Sequence, residues 1–202
     1  MCDQPTSSPT VYERSQQKAE HPPIGQKWLL WNLFLTQFLI GSLAVVLLWW
    51  QERLSGDLFG WSDVRAWLWG IGVGLCVVAV DWILTRWVPT SWVDDGGINE
   101  ALFRNLSMPM IALIALMVAV AEELLFRGAL QYWLGVVGTS LLFVLIHFRY
   151  WKRWLLLVLL FGVSLILGWM VEWTGSLASA IAAHFTIDFV MGILIRKGAV
   201  SK

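Results

Sequence analysis

The stretch from Trp28 to Trp50, WLLWNLFLTQFLIGSLAVVLLWW, decides the fold. It holds no charged residue and closes on a pair of tryptophans. A helix needs roughly 20 mostly apolar residues to cross the hydrocarbon core of a bilayer. Tryptophan favours the boundary between that core and water. The whole chain carries the same bias: 58% of its 202 residues are hydrophobic, 14% are charged and 15 are Trp. A soluble domain carries about 25% charged residues. The chain is therefore expected to be all-α, a polytopic transmembrane helical bundle of about six spans.

Outward from that stretch, residues 1–27 are polar and rich in Ser, Gln and Pro. They read as a cytoplasmic tail, with no pattern of a cleavable signal peptide. Residues 51–65 are a polar connector. A second span is expected from Ala66 to Val88, interrupted by Asp81 and Arg86 and closed by Pro89. Residues 89–107, with Asp94, Asp95, Gly96 and Gly97, read as a loop or a surface helix. A third span runs from Met108 to Leu134, and Gly135 to Gly138 is a natural turn. A short fourth span runs from Thr139 to Phe148, a fifth from Trp154 to Val171, and a sixth from Ser176 to Ile195. Cys2 and Cys76 make neither a disulfide framework nor a thiolate metal site. Zero formal net charge gives no reason to expect a nucleic-acid partner.

Orientation follows Lys and Arg in short loops. Arg149, Lys152 and Arg153 lie in one connector, and Arg196, Lys197 and Lys202 lie at the C-terminus. With six crossings, both termini and the 149–153 connector fall on the cytoplasmic side. The expected location is a multi-pass protein of the plasma membrane.

The last four spans hold Glu122, Glu123, Arg127, His147, His184 and Asp188. Each ionisable group at the bilayer centre costs about 2.5 kcal/mol or more, so such groups mark function. Glu123 and Arg127 are at i, i+4 and can pair. Glu122 points about 100° away and stays available. His184 and Asp188 share a face, as do Phe143 and His147. Counted from the Gly135–Gly138 and Gly175 turns, Glu122 lies roughly 20 Å along its helix, and His147 and His184 roughly 14 Å. All can meet in one layer. A carboxylate and an imidazole in an apolar cavity can share a water and take its proton. A second imidazole can donate to the oxyanion that forms when water attacks an amide. The same residue types can instead hold a divalent metal such as Zn, with Glu122, His147, His184 and Asp188 as ligands. The H-E-x-x-H signature of zinc proteases is missing.

Glu122-Glu123-Leu124-Leu125-Phe126-Arg127 resembles the EExxxR motif of the CPBP family, the CAAX-protease, bacteriocin-processing and Abi-type membrane proteins. Phe143 to His147 resembles its FxxxH motif, and His184 to Asp188 its HxxxN or HxxxD motif. Thr174 to Leu177 is also similar to the family. The likeness covers about residues 105–197, which the resemblance makes a catalytic membrane domain with a four-helix core. The 28–104 segment then holds two preceding helices. The resemblance implies an intramembrane endopeptidase acting on a protein or peptide presented at the lipid membrane. It implies that Glu122 is the general base, that His147 helps activate the water, and that His184 and residue 188 stabilise the oxyanion. Glu123 and Arg127, with Phe143, hold the site together. The family has been described as metal-dependent and as metal-free, and the glutamate form, without a cofactor, is favoured here. Position 188 is Asp. An ionised Asp donates no hydrogen bond, so the expected alternatives are that it orients or charges His184, that it binds a metal, or that burial keeps it protonated. Two other readings are a non-enzymatic immunity or scaffold protein that keeps the motifs for folding, and an ion carrier.

Overall fold

The structure, a computed structural model, describes residues 25–89, 92 and 96–199. Cys2, Asp94, Asp95, Lys202 and nearly all of the 1–27 tail lie outside the described residues. The elements are helices: α1 (Gln26–Trp50), α2 (Val64–Trp87), α3 (Ile98–Phe103), α4 (Met108–Glu123), α5 (Gln131–Ile146), α6 (Trp154–Thr174) and α7 (Ala178–Arg196). Among the described residues, five helical runs are long and apolar enough to cross a membrane, with Met108–Ile146 counted as one. The chain is an integral membrane protein. Its outer faces, with Trp28, Phe38, Trp49, Leu68 and Trp169 exposed, suit lipid and not water.

The Met108–Ile146 run has 39 residues. As one straight helix it would be about 58 Å long, nearly twice the core of about 30 Å. It folds back at Gly135, whose φ of 63° and ψ of 178° only glycine adopts freely. The rings of Phe126 and Phe143 then meet edge to face at 4.8 Å. The expected turn thus sits at Gly135. The returning limb, 136–146, is only about 16 Å long, half a crossing.

Before that turn the helix changes pitch. Ser107 caps α4 by accepting from the Met110 amide, and the helix runs regularly to Glu123. From Leu124 to Leu130 it opens into π-helical turns. Such bulges are commonly found at functional sites. Two side chains from the segment after α1 cover the carbonyls of this stretch: Arg53 donates to Gly128 O at 2.9 Å and Gln51 to Ala129 O at 3.0 Å.

Helix α7 is the centre of the bundle. Ala178 to Ala183 are all buried, and α7 packs on α2, α4 and α6. Its contact with α2 is close because Ala66, Gly70 and Gly74 form a small-residue stripe. A Cβ on Gly70 would lie 2.3 Å from the Ser179 carbonyl oxygen. Gly175, at φ 68°, ends α6 and lets the chain re-enter as α7. The Leu177 amide then donates to Leu58 O, which ties α7 to the short turn at Gly56–Phe59.

Candidate active site

Glu123 is the most deeply placed acid, with no exposed surface. Arg127, one turn along the same helix, donates from Nη1 to Glu123 Oε1 at 2.9 Å. Its Nη2 donates to Ser164 on α6, to the carbonyl oxygen at 3.1 Å and to Oγ at 3.0 Å. The guanidinium carbon lies 5.1 Å from the centre of the Phe143 ring. An acid and a base thus enter the core as a pair whose remaining donors reach α6. The base is thereby satisfied as a buried pair requires, while Glu123 Oε2 has no hydrogen-bond partner among the described residues.

His184 enters from α7, and its Nδ1 lies 2.7 Å from Glu123 Oε1. An ionised carboxylate only accepts, so Nδ1 carries the proton in that bond. This fixes the ring and turns Nε2 toward two further acids. Asp188 Oδ2, one turn on, is 3.5 Å away, and Glu122 Oε2 is 4.0 Å away. Glu122 is mostly covered but keeps some accessible surface, as does His184, each side chain being 12% exposed. Its other oxygen, Oε1, accepts from Gln37 Nε2 of α1 at 3.0 Å.

His147 stands at the end of the short limb, just past α5. Its Nδ1 lies 2.6 Å from the Phe143 carbonyl oxygen. A carbonyl only accepts, so Nδ1 is the donor and Nε2 is left as an acceptor when the ring is neutral. The ring lies 4.5 Å from that of Phe143 and stacks on Tyr150.

The structure therefore joins Glu122, Glu123, Arg127, His184 and Asp188 in one connected cluster, with Phe143 at its edge. Among the described residues no hydrogen bond or ion pair links His147 to the cluster, although Phe143, one turn before it, touches Arg127. Of the four candidate metal ligands, Glu122, His184 and Asp188 lie together, and among the described residues His147 shares no hydrogen bond or ion pair with them. Among the described residues no three His, Cys, Asp or Glu side chains are grouped to hold a metal ion. Sequence reasoning passed over Gln37 and Ser164. A side-chain amide in the middle of a charge-free span was the available signal for Gln37. Ser164 gave none beyond being polar in an apolar run.

This arrangement can bind a small proton donor between a carboxylate and an imidazole, and can offer an N–H to a developing negative oxygen. Residues 104–190 match the family model described as type II CAAX prenyl endopeptidase Rce1-like. The chain is also similar to the uncharacterized protein YpbD of Bacillus subtilis (strain 168). The two are 39% identical over 165 residues, which cover 80% of this chain and 87% of that protein. No solved structure matches.

Proposed function

The chain belongs to the Rce1-like family of type II CAAX prenyl endopeptidases, and on that premise we propose that it is an intramembrane endopeptidase using a water activated by Glu122. Its substrate is a protein or peptide presented at the membrane. The observation that carries the reading is the chain of contacts from Arg127 through Glu123 to His184, with Glu122 facing the free side of the same imidazole.

In the proposed reaction Glu122 Oε2 takes a proton from a water, and the hydroxide adds to the scissile carbonyl carbon. His147, through Nε2, holds the second hydrogen bond to that water. His184, protonated at both nitrogens, donates from Nε2 to the oxyanion while Nδ1–H stays on Glu123. Asp188 supports the charged form of His184 and does not itself donate. Collapse of the intermediate breaks the C–N bond, and the proton on Glu122 passes to the leaving amine. Glu123, Arg127 and Ser164 keep the imidazole and the carboxylate in register. The mechanism uses no metal. Membership in the family also suggests a lipid environment for the substrate, and the charge pattern suggests the plasma membrane with cytoplasmic termini.

The test is cleavage of a quenched fluorogenic CAAX peptide, prenylated and unprenylated, by the full chain reconstituted in liposomes. Glu122→Gln is expected to lose cleavage by at least about a hundredfold, the range of a lost general base, while it inserts and folds as the parent does. Full activity of that variant overturns the glutamate mechanism. Activity abolished by a chelator and restored by one metal ion points to metal chemistry instead.

A further inference from the structure

Helix α1 lies outside residues 104–190, the stretch that matches the family model. It nonetheless places a side chain on the candidate base. The buried stripe of α1 is Gln37, Ala44 and Leu48. Two of these fill space. Gln37 is polar, 7% exposed, and sits near the middle of the charge-free stretch Trp28–Trp50. A buried amide without partners is costly, so its position calls for a hydrogen-bonding reason.

That reason is the 3.0 Å bond from Nε2 to Glu122 Oε1. Because the carboxylate only accepts, the amide must present its NH2 there and turn Oε1 elsewhere. Gln37 Oε1 is buried, and among the described residues it has no hydrogen-bond partner. The contact also sorts the two oxygens of Glu122. Oε1 is clamped by α1, and Oε2 is the one that faces His184 Nε2 at 4.0 Å. Oε2 is thereby the oxygen left for a water.

We infer that Gln37 is a positioning residue for hydrolysis: its N–H holds Glu122 Oε1 and so keeps Oε2 turned to the water that Glu122 activates. This rests on the reading of Glu122 as the general base. The N-terminal helix then completes the site and does more than enclose it. A carboxylate with one oxygen clamped presents the other to the water in a fixed direction.

The experiment uses the full chain in liposomes and the prenylated fluorogenic CAAX peptide. Gln37→Met keeps the length of the side chain and removes the hydrogen bond to Glu122 Oε1. It is expected to lower kcat about tenfold or more, the scale of a lost positioning contact. KM stays within about twofold, and the thermal midpoint does not fall. Leu48→Ala, on the same stripe, loses thermal stability without that selective loss of kcat. In a Glu122→Gln background, Gln37→Met brings no further loss. The inference is overturned if kcat of Gln37→Met equals that of the parent, if KM rises with kcat unchanged, or if the loss merely follows a fall in thermal midpoint. Should Glu122→Gln be inactive while Gln37→Met is fully active, only the role of Gln37 fails. Should Glu122→Gln cleave normally, the general-base reading fails first.

Discussion

At the scale of single residues, two neighbouring acids do different work because of what each meets. Glu123 is enclosed and shares Oε1 between Arg127 and His184. Glu122 keeps some accessible surface and meets an amide and the far side of the imidazole. Removing Arg127 as Arg127→Met should strand a buried carboxylate and cost about 3–5 kcal/mol of stability. Arg127→Lys should fail to rescue it, because an ammonium cannot reach Glu123 and both Ser164 oxygens with a planar fork. Ser164→Ala should cost less, about 1.5–3 kcal/mol, one hydrogen bond to a charged donor. Unfolding in mixed micelles orders the three variants, and Ser164→Ala equal to Arg127→Met would contradict this picture. The Glu123–Arg127 pairing was legible from i, i+4 spacing alone. The bond from His184 to Glu123 was not, since its partners are 61 positions apart.

At the scale of elements, small residues decide where helices can meet. On α2, Gly70 faces the backbone of α7, while Gly72 has nothing within 4 Å of where a Cβ would stand. Gly70→Ala is therefore expected to destabilise the bundle by about 1–3 kcal/mol through overpacking. Gly72→Ala, on the same helix, should be neutral or slightly stabilising. Equal unfolding transitions for the two would mean that the α2–α7 contact is looser than described. Gly135→Ala should also cost about 1–3 kcal/mol, because its dihedral angles are strained for any residue with a Cβ. That turn was readable from the Gly135–Gly138 spacing, and the lengths of the long apolar runs were readable from composition. The π-helical turns from Leu124 to Leu130 were not. Their carbonyls at Gly128 and Ala129 accept from Arg53 and Gln51, over 70 positions earlier in the chain.

At the scale of the whole molecule, the contacts order the crossings. Gln26 donates to Leu102 O at one end of the bundle, and Gln51 and Arg53 reach Ala129 and Gly128 toward the Gly135 turn. With α6 and α7 antiparallel, the 148–153 connector and Arg196 share a membrane face, and Ser176 lies on the other. In a Cys2→Ser, Cys76→Ser background, single cysteines at Lys152 and Lys197 should label from one side with an impermeant thiol reagent. One at Glu172 should label from the opposite side. Labelling of all three from one side would refute the arrangement. The sequence by itself determined that this chain lives in a bilayer, because that solvent is declared by composition and by the length of apolar runs. It also determined which ionisable groups are paired within a helix, because a helix repeats every 3.6 residues. Only the tertiary structure decided which groups from different helices meet. It put His184 between both acids, Gln37 on Glu122, and Ser164 on Arg127. Those contacts are set by the packing of α1, α6 and α7 around α4, and helix packing leaves no periodic trace in the chain.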